Sequence, residues 1–505
     1  MNVQQYNDNA GSIRTRDIAT NSNNRIVFRR IKRNSRYDEN NESLFIQNQH
    51  DEEGEDCIDY VPEGVNDMGW LGYFIGKNKN LKNLYLSAFT PSSSGSFEEV
   101  LEPFLMGVNN NRSITSLDFC SIDLLGGRVF TVMGPFFENC LSLSNLLISD
   151  CHLGEDGWRL LVLAIGSIGS KILQKLSLGA CNISDEGMVD IITSLSMHPN
   201  LQTLWLSGNR LSTKGCTAMA TLLRCSATEL EHLDLGDNEI NDEGIDALVP
   251  ILNNCSHLQS LVFKNNPAIS LKGWRCLATI LESPNCSSLI NLHSGNNVDD
   301  EVVTTLTRAL ENNRTLLTLG ILNYGNPSNP SITDEGWKAI SELLCDTSNV
   351  NSTFQSNHTL QYLGNSSNRL RPLLQLNERE DKKEVSMIKI LKHHNDFDMM
   401  PFFEWEFKVL PLMIDWFEKA STIEMPVDFE PNIGRRKLSS IYQFVRGMPD
   451  LYVETRLRKE LEDIKVSESK MEEKQQELEE ELLELEAEHQ LIQEKKAIIM
   501  KQLSR

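Results

Sequence analysis

An apolar pattern that returns about every 28 to 30 residues constrains this chain more than any other feature. Its cleanest copy runs Leu201-x-x-Leu204-x-Leu206-x-x-Asn209-x-Leu211, and the next runs Leu230-x-x-Leu233-x-Leu235-x-x-Asn238-x-Ile240. Two earlier copies carry Cys in place of Asn: Leu143, Leu146, Ile148, Cys151 and Leu153, then Leu173, Leu176, Leu178, Cys181 and Ile183. Ten such segments begin near Leu81, Ile114, Leu143, Leu173, Leu201, Leu230, Leu258, Leu289, Leu316 and Leu360. A unit of this length cannot bury its own apolar face, so stacked neighbours must share one continuous core. The repeat therefore predicts a solenoid, where a length of 505 residues alone would suggest several separate domains.

Within each copy, the first, fourth and sixth positions fall on one side of a short strand. The ninth, Asn or Cys, sits where the chain turns, and a buried Asn there can satisfy neighbouring backbone groups. A helix start follows, as in Glu155-Asp156-Gly157, Asp185-Glu186-Gly187, Asp242-Glu243-Gly244 and Asp334-Glu335-Gly336. Ser184, Asn241 and Thr333 stand in front of three of these as N-caps, and the acidic residues suit the positive end of a helix dipole. One strand and one full helix per unit predict a horseshoe with an inner parallel sheet and outer helices, over residues 61–372. A 44-residue gap from Leu316 to Leu360 predicts an extra loop, with Asn323 to Ser331 and Ser348 to Ser356 as its parts.

The flanks differ. Residues 1–60 are polar and lack periodicity, which predicts a disordered tail. They hold a basic cluster, Arg25, Arg29, Arg30, Lys32, Arg33 and Arg36, and an acidic run from Asp51 to Asp56. The basic cluster is either a solvated tail or an import, lipid or RNA contact. Residues 373–452 carry Ile388, Phe402, Phe403, Trp405, Phe407, Trp416 and Phe417, and read as a helical aromatic-rich cap over the open solenoid end or as a partner surface. In 453–503, Leu457, Ile464, Met471, Leu478, Leu485, Ile492 and Ile499 recur at every seventh residue. Leu461, Leu482 and Leu503 share the companion seam with Glu468, Gln475, His489 and Lys496. This predicts a coiled-coil helix of defined register, pairing as a homodimer or heterodimer, against the alternative of a lone charged helix.

Bulk properties narrow the function classes. A formal charge of −23 argues against nucleic acid as a partner and favours either a basic protein partner or simple solubility. The eleven cysteines include no C-x-x-C pair, and their places in the repeat predict buried free thiols. The polar start is unlike a signal peptide, and no run reaches the roughly 20 apolar residues of a membrane helix. These features predict a cytoplasmic or nuclear chain. The triplets Asn313-Arg-Thr315 and Asn357-His-Thr359 arise from the repeat itself and are expected to stay unglycosylated. Phosphate-loop, zinc-helix and nucleophile-elbow motifs are absent, no cofactor or metal is implied, and no catalytic residue is nominated.

What remains is a surface. The fifth strand position points to the concave face, and in order it reads Tyr85, Asp118, Leu147, Ser177, Trp205, Asp234, Val262, His293, Gly320 and Gly364. Trp205 stands out as a binding anchor, with Asp234 beside it and Asp150 and Asp237 just beyond their strands. Trp205 in an acidic surround, with Tyr85 on the same face, predicts a site for a basic or amphipathic protein segment. The alternative is that Trp205 merely shields the sheet.

The repeat length, the Asn/Cys alternation and the D-E-G helix starts resemble the ribonuclease-inhibitor-like class of leucine-rich repeats. The resemblance implies an α/β leucine-rich-repeat solenoid over 61–372 and says little of function. Proteins similar to it include inhibitors of secreted ribonucleases, Ran GTPase-activating proteins and the sensor domains of NOD-like receptors. The solenoid and the coiled coil together predict a non-catalytic intracellular interaction scaffold, and the resemblance to the Ran GTPase-activating family offers a regulator of a small GTPase as the alternative. None of the functional residues of the Ran GTPase-activating family matches a position here.

Overall fold

A computed structural model describes residues 3–10, 12–33, 43–47, 58–63, 65–87, 97–122, 124, 127–169, 172–225, 229–284, 288–295, 298–321, 332–364 and 370–393. It also describes 461, 463–471, 474–475 and 495–496. Two units are present: Met1–Asp346 with Ser356–Glu380, and Thr347–Gln355 with Asp381–Arg505.

The first unit is built on one parallel sheet. Its strands are β1 (Ser43–Ile46), β2 (Ile58–Tyr60), β3 (Asn83–Ser87), β4 (Ser116–Cys120), β5 (Asn145–Ser149), β6 (Lys175–Gly179), β7 (Thr203–Trp205), β8 (His232–Asp234), β9 (Ser260–Val262), β10 (Asn291–His293) and β11 (Thr318–Gly320). They run in the order β11 to β3 without interruption, then β1, then β2. The fourth repeat position is the register mark. Leu84, Leu117, Leu146, Leu176, Leu204, Leu233, Leu261, Leu292 and Leu319 pair in one row, and all are buried. The tenth segment adds a single parallel bridge, Thr318 to Tyr362. The sheet thus follows the repeat spacing, and the chain is an α/β leucine-rich-repeat solenoid.

Helices such as Gly154–Ser167, Asp185–Leu195, Thr213–Cys225, Asp242–Leu252, Leu271–Glu282 and Asp300–Leu310 link successive strands, each packed on the next. Two polar ladders tie the repeats together. Asn209 Nδ2 donates to Leu178 O at 2.7 Å, and Asn238 Nδ2 to Leu206 O at 3.0 Å. Asn266 Nδ2 continues the ladder to Leu235 O at 3.0 Å. Where Cys replaces Asn, the thiol takes the same place, as in Cys181 Sγ to Ile148 O at 3.4 Å. The second ladder runs through the helix starts. Asp185 Oδ1 accepts Ser212 N at 2.8 Å and Gly215 N at 2.9 Å, so it caps the helix of the following repeat. Asp242 does the same for Ser270 N and Gly273 N. Ser184, Asn241 and Thr333 cap their own helices, as expected.

The expectation of a disordered tail over 1–60 is corrected by the structure. Helices Val3–Asn9, Thr15–Ile18 and Ser22–Arg33 form there, together with β1 and β2. The reason lies in Asn24, Val27, Phe28 and Ile31, which recur at helical spacing and are all buried. Phe28 meets Tyr60 and Phe74 edge-on at 5.6 and 6.2 Å between ring centroids, and Tyr6 meets Trp70 at 4.8 Å. The chain's polar start therefore closes the N-terminal end of the solenoid. Arg25, Arg29, Arg30 and Lys32 lie on a packed helix instead of a loose tail.

Near the other end, part of the expected extra loop is a helix, Val350–Gln355, and Asn323 to Ser331 lie outside the described residues. In the second unit this helix packs on Lys382–His393. Of the expected cap, 394–452 lie outside the described residues. So do Leu457, Leu478, Leu482, Leu485, Ile492 and Ile499 of the heptad seam. Residues 463–471 are helical, and Leu461, Ile464 and Met471 are exposed.

Candidate concave-face binding site

Because neighbouring strands pair in register, the fifth positions form one continuous row across the sheet. Phe45 of β1 pairs with Tyr85, Tyr85 with Asp118, Asp118 with Leu147, and Leu147 with Ser177. The row continues through Trp205, Asp234, Val262, His293 and Gly320. Trp205 is 36% exposed, unusually open for a tryptophan on a packed sheet.

The Trp205 ring is already engaged. Lys175 Nζ lies 3.7 Å from its centroid, close enough for a cation–π contact. Lys175 comes from the third repeat position, which by the period-2 rule shares a face with the fifth. Burial lowers its pKa, and the carboxylate of Asp118 works against that shift. Asp118 in turn is pushed up to about 6 by burial, with Lys175 opposing. The acidic surround expected for Trp205 is thus one-sided: Asp234 flanks it on β8, while a lysine of the chain covers it from β6.

Asp234 is half-buried and accepts Gly236 N at 2.9 Å. Burial raises its pKa, with the Gly236 hydrogen bond and Lys264 opposing. Lys264 pairs with Asp237 at 3.7 Å, and Asn265 Nδ2 donates to Asp237 Oδ1 at 2.7 Å. His293 closes this end. Burial lowers its pKa, as does Lys264, and its ring lies where a Cβ on Gly320 would be 2.3 Å from Nδ1. Gly320 is therefore required by close approach.

The structure brings Trp205, Asp234 and Asp237 together and places Asp150 and Tyr85 elsewhere along the face. Asp150 and Asp237 occupy the eighth repeat position, where φ is 54° and 52°. Ser121, Ala180, Gly208 and Asn265 hold the same left-handed backbone. Asp and Asn tolerate this conformation better than most residues, so turn geometry accounts for both aspartates without a ligand. Tyr85 stacks on Phe45 at 4.1 Å between centroids and 6° between planes. Lys175 and Phe45 escaped the sequence reading, which placed Asp118 on the concave face without singling it out. The first was recoverable, because third and fifth positions of a strand share a face.

The remaining polar chemistry is structural. Cys140, Cys151, Cys181 and Cys216 are buried free thiols, and burial pushes Cys151 up to about 11 and Cys181 and Cys216 up to about 12. Among the described residues no cluster of three or more His, Cys, Asp or Glu could hold a metal ion. Among them also, no helix is long and apolar enough to cross a membrane.

Comparison with known proteins agrees with this geometry. A family model described as Leucine Rich repeat matches residues 169–191, 198–220 and 227–249. Ribonuclease inhibitor from Sus scrofa is 26% identical over 273 residues, covering 52% of this chain and 57% of that protein. The human NACHT, LRR and PYD domains-containing protein 13 is 28% identical over 227 residues, 44% of this chain and 21% of that one. Human PRAME family member 20 is 40% identical over 223 residues, 42% of this chain and 39% of that one. The chain spans less than two thirds of the length of each of these relatives. The chain is thus a leucine-rich-repeat solenoid whose repeats are similar to those of the ribonuclease-inhibitor-like class.

Proposed function

We propose that this chain is a non-catalytic intracellular scaffold whose concave face holds a basic segment of a protein partner. The observation that carries the proposal is the Trp205 ring, open to solvent on the sheet face, flanked by the Asp234 carboxylate and already bearing a lysine ammonium 3.7 Å away. A surface that binds one cation in cis has the chemistry to bind another in trans. A half-buried aromatic among small neighbours is also the usual form of an energetic anchor.

The C-terminal heptads form the second element of the proposal. Leu461, Ile464 and Met471 are exposed apolar side chains, available to a partner helix. Pairing through them with a copy of the chain would double the number of concave faces and raise avidity, and pairing with another protein would recruit it to the solenoid.

Both elements are tested with one set of proteins: the full chain, a chain ending at Asp450, and the full chain carrying Trp205→Ala with Asp234→Ala. Light scattering is expected to give the full chain twice the mass of the shortened one. Equal one-chain masses would remove self-association. Partner capture is expected to fail for the double substitution alone, and retention of every partner by it would overturn the concave-face site.

A further inference from the structure

We propose that the concave face reads two cationic side chains of one extended segment, at Trp205–Asp234 and at Tyr85–Asp118, about six residues apart. The inference rests on the concave-face proposal and adds the second subsite and the spacing. Its basis is that the same pair of groups occurs twice in one register row. Trp205 pairs with Asp234 on the next strand, and Tyr85 pairs with Asp118 on the next strand. An aromatic face beside a carboxylate is the surrounding that an arginine guanidinium fits, stacking on the ring and bridging to the oxygens. Phe45 stacks on Tyr85 at 4.1 Å and so holds that ring in place.

Lys175 shows the chemistry at work within the chain. It rises from β6, between the two pairs, places its ammonium on the Trp205 ring and feels the Asp118 carboxylate. A bound cation can take over either contact. Between the pairs the row holds only Leu147 and Ser177. The seventh positions on one side of it are Ser149, Gly179, Ser207 and Gly236, so on that side no large side chain blocks a backbone crossing the strands.

The spacing follows from strand geometry. Tyr85 and Trp205 are four strands apart in the row, which at ~4.8 Å per strand is about 19 Å. An extended peptide advances ~3.3 Å per residue, so about six residues bridge the pairs. An even number matters, because only then do both side chains point to the same side of the extended segment.

The test uses the full chain and dye-labelled peptides of serine and glycine. They carry either one arginine or two arginines placed three, five or six residues apart. The six-apart peptide is expected to bind about tenfold tighter than the one-arginine peptide through intramolecular capture of the second cation. The five-apart and three-apart peptides should gain little. Tyr85→Leu should reduce the six-apart peptide to the one-arginine level, while costing the one-arginine peptide no more than about twofold through loss of one of its two sites. Equal affinity of all two-arginine peptides would overturn the inference and indicate a diffuse acidic field. So would a Tyr85→Leu chain that keeps the spacing preference. In both cases one-arginine binding that still depends on Trp205 leaves the concave-face proposal standing. One-arginine binding by the Tyr85→Leu chain that survives the further change of Trp205→Ala with Asp234→Ala would instead defeat that proposal, and this inference with it.

Discussion

The Asp185 carboxylate accepts the backbone N–H of Gly215, thirty residues further on, at 2.9 Å. A Cβ at Gly215 would lie 2.7 Å from the same oxygen. The relationship explains why the helix starts carry both Asp and Gly: one repeat supplies the carboxylate and the next leaves room for it. Asp300 repeats the arrangement with Thr333 N at 2.9 Å, and a Cβ at Gly336 would be 2.3 Å from its oxygen. The Asp300 carboxyl is held below the ordinary carboxylate value, chiefly by its Thr333 hydrogen bonds.

It follows that Gly215→Ala should reverse the usual helix-propensity effect. In an open helix, alanine for glycine stabilises by about 1 kcal/mol. Here the methyl group must push Asp185 away from Ser212 N, Ser212 Oγ and Gly215 N. Losing two or three hydrogen bonds at ~1 kcal/mol each outweighs the propensity gain. Thermal melting should show Gly215→Ala below the parent chain, whereas in an Asp185→Ala background the same substitution should be neutral or stabilising. A stabilised single variant would mean that the carboxylate moves freely and the inter-repeat cap contributes nothing.

Asn238 predicts the strength of the other ladder. It is 5% exposed, donates to Leu206 O, Leu235 O and Gly236 O, and accepts Leu211 N at 3.1 Å. Asn238→Ala would bury the Leu211 N–H without a partner and take one of two donors from each of Leu206 O, Leu235 O and Gly236 O, at a cost of about 2–4 kcal/mol. Asn238→Cys should cost clearly less, because Cys151 and Cys181 already serve the same carbonyl row with a thiol. Denaturant unfolding of the two variants checks the order, and equal losses would contradict it.

The legible and illegible parts of this chain divide along physical lines. Strand positions, ladder asparagines and buried thiols follow from a period, and all ten expected segments join the sheet, the last as a single bridge. The N-terminal helices were hidden because the apolar set Val27, Phe28 and Ile31 spans little more than one turn inside polar surroundings. The Asp185 cap was read as local dipole compensation, since its true partner lies a full repeat away. At the candidate site, Trp205 and Asp234 were visible as single residues. Lys175 on the ring, and Phe45 behind Tyr85, emerge only once the register of neighbouring strands is known.

Lys175 should act as a competitor for the concave face. Its ammonium shields the Trp205 ring in the free protein. A partly exposed cation–π contact is worth about 0.5–1 kcal/mol, so Lys175→Met should tighten binding of a basic peptide roughly two- to fivefold. The methionine keeps most of the side chain's bulk and removes only its charge. Fluorescence anisotropy with a one-arginine peptide measures the change. Weaker binding by the variant would show that Lys175 supports the site instead of occupying it.

Asp118 predicts a pH effect whose sign is opposite to that of an ordinary paired carboxylate. Burial pushes its carboxyl up to about 6, and Lys175 only partly offsets that. The folded protein thus holds this proton more tightly than the unfolded chain does, and the group's contribution is lost as pH rises through about 6. Below about pH 4 the carboxyl is protonated in both states and the full contribution is present. Asp118→Asn copies the protonated form at every pH. It should therefore melt higher than the parent chain near pH 7.5, with the difference shrinking between pH 6 and pH 4 and closing below that. The gain should grow in a Lys175→Met background, where no ammonium offsets the buried charge. Parallel melting curves of the four proteins across this range measure both effects. A pH-independent difference would mean that the introduced amide alters packing, and a lower melting point at pH 7.5 would mean that the ionised carboxylate is well solvated or well paired in the folded chain.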